Sequence, residues 1–278
     1  MGASFERARE FVYRNGRLLE RRLFARLYED DGAEGLVAAV LAYRNADGGF
    51  GHGLEPDKLA PESQPLDVQI ALERLHDAGA REPEIALGAA AFLETVADER
   101  GLVPIVLPSV ARSPRAAHWR NGLFPPRSAC TIAIAAYMHE LGVDHAWLER
   151  ATETCLDELR RDPLREAHAI HDAVPFVRFA PGAEGLESTL AEALPEAEYF
   201  KRDPEDESYG LPPTNFPREW FDDALYEAHL DRVERQQGED GGWPIAWEPP
   251  GPAAACAWRA IVTIEALRKL DANDRLPR

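Results

Sequence analysis

Two Asp-Gly-Gly-aromatic turns, far apart in the chain, place the strongest constraint on its fold. The first is DGGF, residues 47–50, and the second is DGGW, residues 240–243. Each follows an amphipathic segment and leads through a short loop into a second apolar segment. Because aspartate can bond to nearby backbone and glycine reaches positive φ, a helix can end and the chain can reverse there. The pattern predicts a repeat of helix, corner and helix, with the corners in a structural role; the alternative is that either aspartate touches a ligand.

Apolar side chains recur every three or four residues over most of the chain, which predicts helices joined in pairs. The predicted pairs are 35–44 with 64–75, 82–96 with 128–141, 145–160 with 165–178, and 222–237 with 253–270. A further helix is predicted over 185–194, and the first thirty residues predict a hairpin broken at Asn15-Gly16. No alternating apolar pattern of the kind that strands show is present.

We therefore expect an all-α fold, and we expect residues 1–278 to form a single domain. Helical hairpins with one mostly buried and one amphipathic member can close into an α/α toroid, a double ring around a central cavity. An open solenoid of helix pairs is the rival arrangement, because periodicity does not report closure.

The net charge of the chain limits the classes of partner that it can bind. The chain has 31 Lys and Arg against 49 Asp and Glu, a net charge of −18. This balance argues against a nucleic acid or an anionic membrane surface as the partner. Three widely spaced cysteines indicate a reducing compartment, and neither a secretory signal nor an apolar run of membrane-spanning length is visible. We expect a cytoplasmic protein with no integral membrane segment.

The second turn extends into a recognisable motif. Gln237, Gly241 and Trp243 fit a Q-x-x-x-G-x-W repeat, and the first copy runs from DGGF to LEPD. In these features the chain resembles the terpenoid cyclase and protein prenyltransferase superfamily. The resemblance implies an α/α toroid and action on a hydrophobic isoprenoid-type substrate in a central cavity.

The chain departs from that family's catalytic patterns. It lacks the Asp-x-Asp-Asp acid of squalene-type cyclases and a cysteine in the context of the prenyltransferase zinc site. The first copy also has Arg44 and Phe50 where Gln237 and Trp243 stand. No catalytic role is carried over from the family, so cofactor and metal stay unassigned.

The loop after the first corner is the richest in candidate groups. We predict His52, Glu55 and Asp57 as catalytic residues, because a recessed carboxyl or imidazole has a shifted pKa and can act as general acid or base. Asp67 and Gln69 are predicted substrate contacts on the helix that follows. The alternative is that these carboxylates cap helices or pair with arginines.

A second candidate group lies on one predicted helix. His168, His171 and Asp172 share one side at i, i+3 and i+4. We predict that both histidines contact substrate; zinc binding with a further ligand is an alternative.

Aromatic residues complete the predicted site. Trp119, Tyr209 and Trp247 are predicted to line an apolar cavity, where their faces would stabilise a cationic intermediate. Ordinary packing is the alternative. The acidic segment 201–210 superficially echoes a magnesium-diphosphate motif, and its prolines and charges favour a solvated loop.

The sequence is compatible with three candidate functions. The first is a terpene cyclase-like enzyme acting on a hydrophobic small molecule without the standard acid motif. The second is a carbohydrate-active α/α-barrel enzyme with paired carboxylates. The third is a non-catalytic binding or scaffold repeat protein.

Overall fold

The computed structural model describes residues 3–276, and this part of the chain is all-helical. Its strand-like pairings are isolated bridges only. The helices are α1 (Phe5–Asn15), α2 (Leu18–Tyr28), α3 (Ala33–Leu41), α4 (Pro65–Ala78), α5 (Pro83–Val96), α6 (Ser128–Glu140), α7 (Ala146–Arg161), α8 (Ala167–Phe179), α9 (Leu186–Ala193), α10 (Asp223–Arg235) and α11 (Pro252–Asp271). Each predicted helix is confirmed, including α9 and the hairpin that breaks after Asn15.

The chain divides into two compact units. The terminal unit comprises the described residues up to Gly32 and from Tyr199 onward, and the middle unit is Ala33–Glu198. In the terminal unit, α11 packs against α1, α2 and α10. In the middle unit, α6 packs against α4, α7 and α8, while α3 lies on α4 and α5 on α7. The expectation of a single domain over 1–278 stays a prediction.

The helix α6 shows why one member of a pair is buried. Eight of its thirteen residues are buried, among them Ile132, Ile134 and Met138. By contrast, α7 buries one stripe that includes Trp147, Ala151 and Leu159 and leaves its charged side in water. None of the helices within residues 3–276 combines the length and the apolar character that a bilayer crossing requires.

The first Asp-Gly-Gly corner joins α3 to the loop before α4 and rests on α5. Asp47 Oδ1 accepts hydrogen bonds from the Gly49 N–H (3.0 Å) and from the Ser63 hydroxyl (2.7 Å). Gly48 has φ +89° and lies so close to Gly88 that an added Cβ would overlap the Gly88 carbonyl. The corner therefore requires glycine both for its conformation and for its contact.

The second corner repeats this arrangement between α10 and α1. Asp240 Oδ1 accepts from the Gly242 N–H (3.2 Å), and Arg259 binds both Asp240 oxygens at 2.7 and 2.9 Å. Gly241 has φ +92°, and a Cβ there would overlap the carbonyl of Arg7. In each unit, a corner thus presses its glycine against the backbone of a neighbouring helix.

The aromatic residue after each glycine pair packs inward. Phe50 is fully buried and Trp243 is 3% exposed. The indole N–H of Trp243 donates to the Val233 carbonyl at 2.7 Å. Gln237 accepts from the Ser4 N–H (2.7 Å) and donates to the Ser4 carbonyl (2.9 Å), so the glutamine of the motif fixes the start of α1.

A third corner of the same shape, without the Asp-Gly-Gly motif, lies between α5 and α6. The Asp98 N–H donates to the Leu102 carbonyl (2.9 Å), and the Gly101 N–H donates to the Asp98 carbonyl (3.0 Å). Gly101 has φ +84°, and a Cβ there would lie 2.8 Å from the backbone nitrogen of Ala151 in α7. Only the central glycine of the motif survives in the sequence.

The backbone N–H of the residue after this corner bonds to a threonine hydroxyl, and so does the backbone N–H of the residue after the second corner. The Val103 N–H donates to the hydroxyl of Thr131, and the Trp243 N–H donates to that of Thr263, each at 3.0 Å. The corner is therefore a recurring structural unit, and the shared hydrogen bonds show it more clearly than the sequence does.

We predict that Gly48→Ala destabilises the protein by about 3 kcal/mol or more, because the new Cβ meets an unfavourable φ and also the Gly88 carbonyl. Gly142→Ala is the matched control: φ is +71° there and no atom lies within 4 Å of an added Cβ. We expect it to cost only ~1 kcal/mol. Urea unfolding of both variants measures the difference, and equal losses would show that the contact with α5 contributes nothing.

Candidate functional site

The loop before α4 is fastened to the loop before α6, and together they bury the first candidate group. Backbone N–H groups of Leu59 and Ala116 donate to the carbonyls of Pro114 (2.9 Å) and Asp57 (2.7 Å). The fully buried Gln64 adds two side-chain bonds to the loop before α6, one to a backbone N–H and one to a serine hydroxyl, both at 2.7 Å. These bonds hold an irregular segment in a fixed position.

Three charged residues meet beneath these loops. Lys58 Nζ lies 2.5 Å from Asp67 Oδ1 and 3.8 Å from Glu55 Oε2. The Glu55 N–H also donates to Asp67 Oδ1 at 2.8 Å. Lys58 and Asp67 are completely buried and Glu55 is 4% exposed. The group has two acids and one base, so it is neutral overall when one carboxyl is protonated.

Glu55 is the carboxyl that holds the proton. Burial raises its pKa to about 8; the Lys58 ammonium opposes that rise, and the charges of Asp57 and Asp67 add to it. Its Oε2 is buried and forms no hydrogen bond within residues 3–276. At neutral pH, Glu55 is therefore a protonated acid with one oxygen not engaged in a hydrogen bond, which is the state that a general acid requires.

Asp57 lies in the loop before α4 and Trp119 in the loop before α6. His118, which the sequence analysis did not single out, lies close to both. Asp57, 3% exposed, has Oδ2 3.9 Å from Nε2 of His118, and the His118 ring lies 4.5 Å from the Trp119 ring. Burial lowers the pKa of His118 and Asp57 opposes this, so the imidazole is neutral at pH 7. The buried indole N–H of Trp119 has no hydrogen-bond partner in the described part of the chain.

His52 lies apart from this buried group. Its side chain is exposed, its φ is +58°, and Nε2 bonds Asn45 Oδ1 at 2.9 Å. The loop thus brings Glu55, Asp57 and Asp67 into the interior and leaves His52 on the surface.

A second polar group joins α4 to α8. The side-chain amide of Gln69 donates to Glu73 Oε1 at 3.0 Å and to Asp172 Oδ2 at 3.4 Å. The two carboxylate oxygens are therefore within about 6.4 Å of each other, the sum of those lengths. Nδ1 of His171 lies 3.4 Å from Asp172 Oδ1, and the nearby charge of Asp172 acts on His168. Three predicted substrate contacts thus meet at Asp172.

The two carboxyls of this group are both half-buried. Burial raises the pKa of Glu73 to about 6, with Arg74 opposing and Asp172 adding to the rise. Asp172 has a side chain that is 25% exposed. Burial, with help from the charge of Glu73, also raises the pKa of Tyr137 on α6. The group therefore pairs a weak acid with a partly solvated carboxylate.

Tyr209 and Trp247, the remaining predicted contacts, belong to the terminal unit. Their rings lie 6.0 Å apart, and the Trp247 ring lies 5.0 Å from that of Trp258. Tyr209 is 48% exposed. These residues form an aromatic cluster at the surface of their unit.

Neither metal-binding alternative gains support. Within residues 3–276, no group of three or more His, Cys, Asp and Glu is arranged to hold a metal ion. In the acidic segment 201–210, Asp203 and Asp206 accept from the N–H of Glu205 (2.9 Å) and Ser208 (2.8 Å), which are turn-forming bonds. Glu207 pairs with Arg232 at 3.4 Å.

The sequence reasoning missed Lys58 and Glu73. Lys58 is one of only three lysines among 31 basic residues, a usage that marks it as unusual. Glu73 lies one helical turn after Gln69, at the spacing that brings two side chains together. Both signals are present in the sequence, although neither identifies the partner residues.

The fold has a known counterpart. The chain is similar to a crystal structure of a protein from Actinoplanes, with a TM-score of 0.60 and 16% identity over 96% of this chain and 98% of that one. At that identity the likeness concerns the fold alone. Neither a protein-family model nor a curated protein matches this sequence.

We predict that Glu55→Gln stabilises the protein relative to the wild type increasingly between about pH 4.5 and 8. The folded-state pKa of Glu55 is raised, so its favourable contribution is complete below pH ~4.5 and is lost as the pH rises to about 8. Glutamine does not titrate. Thermal melts of both proteins from pH 4 to 9 measure this, and a constant difference in Tm would contradict a buried neutral Glu55.

Proposed function

We propose that this chain is an enzyme acting on a hydrophobic, isoprenoid-type substrate, that its helix pairs close into an α/α toroid, and that Glu55 donates the proton that starts the reaction. The single observation that carries the proposal is a buried carboxyl, that of Glu55, 3.8 Å from the buried ammonium of Lys58; burial raises the pKa of this carboxyl to about 8. The resemblance of the two corner motifs to terpenoid cyclase repeats supports the choice of substrate. Recessed ionisable groups also favour an enzyme over a scaffold.

The acidity of Glu55 limits the chemistry. A carboxyl with a pKa of about 8 is a weak acid, so it suits an oxygen atom that gains the proton while its C–O bond breaks. The substrate is accordingly an isoprenoid with an epoxide or an oxygen leaving group. The Glu55 proton moves to that oxygen, the C–O electron pair goes with it, and the carbon becomes cationic. Water then adds to the cation and loses a proton, or removes a proton from a neighbouring carbon, and that proton returns to the Glu55 carboxylate.

Residues of the two joined loops are suited to both new charges. The Lys58 ammonium, 3.8 Å away, stabilises the Glu55 carboxylate that remains after proton transfer. The ring of Trp119 can stabilise a desolvated carbocation by ~2 kcal/mol. Asp57, whose Oδ2 lies 3.9 Å from Nε2 of His118, is the second ionisable group near the reacting end in this proposal, and His52 lies at the outer edge of the loop.

Incubation with isoprenoid epoxides, alcohols and diphosphates, followed by mass spectrometry, tests the proposal. We expect consumption of at least one substrate, a rate that falls as the pH rises through about 8, and loss of at least 100-fold in Glu55→Gln. Glu62→Gln is the matched control, the same change in the same loop at a side chain that is 41% exposed. Inertness toward the whole panel, or full activity of Glu55→Gln, would overturn the assignment.

A carbohydrate-active enzyme is the second candidate, and the Glu73–Asp172 pair favours it. Both carboxylates accept from the side-chain amide of Gln69, so these two oxygens are no more than about 6.4 Å apart, an upper limit that includes the ~5–5.5 Å separation of retaining glycosidases. Glu73, with a pKa raised to about 6, would protonate the glycosidic oxygen, which leaves as an alcohol with the C–O electron pair while Asp172 attacks the sugar carbon to form an ester. The resulting ester would then be hydrolysed by water.

The two candidate functions predict that different substitutions reduce the activity. Sugar hydrolysis would fall as the pH rises through about 6, and Glu73→Gln and Asp172→Asn would each lose at least 100-fold. Glu55→Gln would retain that activity. A panel of aryl glycosides and oligosaccharides, assayed with all three variants, distinguishes the candidates; a sugar-hydrolysing Glu73→Gln protein would eliminate the second.

A further inference from the structure

One buried base is shared unequally between two buried acids. The Lys58 ammonium lies 2.5 Å from Asp67 Oδ1, which is a hydrogen-bond distance, and 3.8 Å from Glu55 Oε2, which is not. The side chains of Lys58 and Asp67 are completely buried, and that of Glu55 is 5% exposed. The ammonium therefore forms its close ion pair with Asp67 and gives Glu55 no hydrogen bond.

Asp67 is better placed than Glu55 to carry the negative charge. Its Oδ1 accepts two hydrogen bonds, one from Lys58 Nζ and one from the Glu55 N–H at 2.8 Å. Asp67 also lies in the first turn of α4, where the helix dipole favours an anion. Glu55 Oε2 has no hydrogen-bond partner within residues 3–276. Since hydrogen bonds and a nearby cation stabilise the ionised form, the charge belongs to Asp67 and the proton to Glu55.

The same contacts fix the position of Lys58. The Lys58 N–H donates to the Glu55 carbonyl at 3.3 Å, which closes a turn over residues 55–58. Asp67 bonds the start of that turn through the Glu55 N–H and its end through the Lys58 ammonium. Asp67 thus ties both ends of the turn to α4 and keeps the ammonium at a distance from Glu55 Oε2 that allows attraction without a hydrogen bond.

We propose that Asp67 is the positioning residue for Glu55: it engages the Lys58 ammonium, so that Lys58 does not replace the proton on Glu55. Without that contact, Glu55 is the carboxyl nearest to the buried ammonium, and the two would form an ion pair with no proton left to donate. Asp67 then acts through its neighbours, which suits a completely buried side chain better than the substrate contact predicted from the sequence. The consequence for activity rests on the proposed function, whereas the location of the proton does not.

The charges around Glu55 give the sign of the effect. Burial raises the pKa of Glu55 to about 8; Lys58 opposes the rise, and Asp57 and Asp67 add to it. On the facing loop, His118 lies 3.9 Å from Asp57 and is neutral at pH 7, so it adds no charge. A neutral residue in place of Asp67 removes a charge that raises the pKa of Glu55 and frees an ammonium that lowers it. Both changes favour loss of the Glu55 proton.

One further cation lies on the facing loop. Arg115 pairs with Lys58 through the backbone. Its guanidinium donates to the carbonyls of Ala111 at 2.9 Å and Ser113 at 3.2 Å, within its own loop. Arginine stays charged in every variant, so its effect on Glu55 is constant.

Infrared spectroscopy locates the proton without a substrate. At pH 7 the wild-type protein should show a protonated-carboxyl band that is absent in Glu55→Gln, because the pKa of Glu55 is about 8. In Asp67→Asn the band should be absent at pH 7 and return on acidification, with a midpoint about 2 pH units below that of the wild type. The double variant Lys58→Met/Asp67→Asn, which also removes the freed ammonium, should show the band at pH 7 again.

A measurement on the wild-type protein does not depend on the folding of any variant. ¹⁵N NMR of labelled lysines should show coupling across the hydrogen bond from Lys58 Nζ to the Asp67 carboxyl carbon. Coupling to the Glu55 carboxyl instead would overturn the proposal. So would a band that persists in Glu55→Gln, a wild-type midpoint in Asp67→Asn, or a folded double variant without the band.

Asp77→Asn is the matched control, the same change on the same helix. The Asp77 side chain is 5% exposed and pairs with Arg74 at 2.5 Å, and it lies about 15 Å further along α4 than Asp67. Its carboxyl band at pH 7 should equal that of the wild type. A band lost in this variant as well would show that Asp67 has no special role. Circular dichroism melts establish that each variant is folded.

Activity separates this inference from the proposed function. On a substrate that the wild type consumes, the pH at which the rate falls should move down in Asp67→Asn together with the infrared midpoint. A purely structural effect would lower the rate without moving that pH. Inertness toward every substrate would overturn the proposed function and leave the infrared result standing, whereas a Glu55 proton that does not depend on Asp67 would overturn this inference alone.

Discussion

A glycine in the left-handed conformation, pressed against the backbone of a neighbouring helix, is the contact on which each corner depends. Gly48, Gly101 and Gly241 meet residues of α5, α7 and α1 at distances that leave no room for a Cβ. Because backbone atoms make this contact on both sides, the contact depends little on the identity of the side chains. The adjacent hydrogen bonds then fix the direction in which the chain leaves the corner. Helix pairing and loop position follow from this one requirement.

The loop after the first corner contains a group of buried charged side chains. Isolated buried charges are costly, and Lys58 is accommodated only because Asp67 and Glu55 lie beside it. The loop cannot relax to expose these groups, since Gln64 and the Leu59 and Ala116 backbone bonds tie it to a second loop. The shift in the pKa of Glu55 is therefore a consequence of the rigid enclosure, and it sets the protonation state on which the proposed chemistry rests.

The sequence predicted the helices well because their signal is local. The spacing of apolar residues located α3 to α8, α10 and α11, and the Asn15-Gly16 break located the first hairpin.

The side-chain groups were predicted less completely. Glu55, Asp57 and Asp67 were expected around one loop, but Lys58 between them was not singled out, because nothing local shows that its ammonium is buried. Glu73 was missed because its partner Asp172 is about a hundred residues away. The third corner was missed because its hydrogen bonds involve backbone, which any residue supplies.

The corners also leave one part of each repeat unconstrained. From Phe50 to α4, from Val103 to α6 and from Trp243 to α11, the connecting segments differ in length, yet each starts at a fixed corner and ends at a fixed helix. Insertions in these segments need not disturb the helices, since both anchor points are set independently. Evolution can thus change the residues of these segments while the scaffold stays the same. Relatives of this chain would then diverge most between corner and helix, even where their frames superimpose.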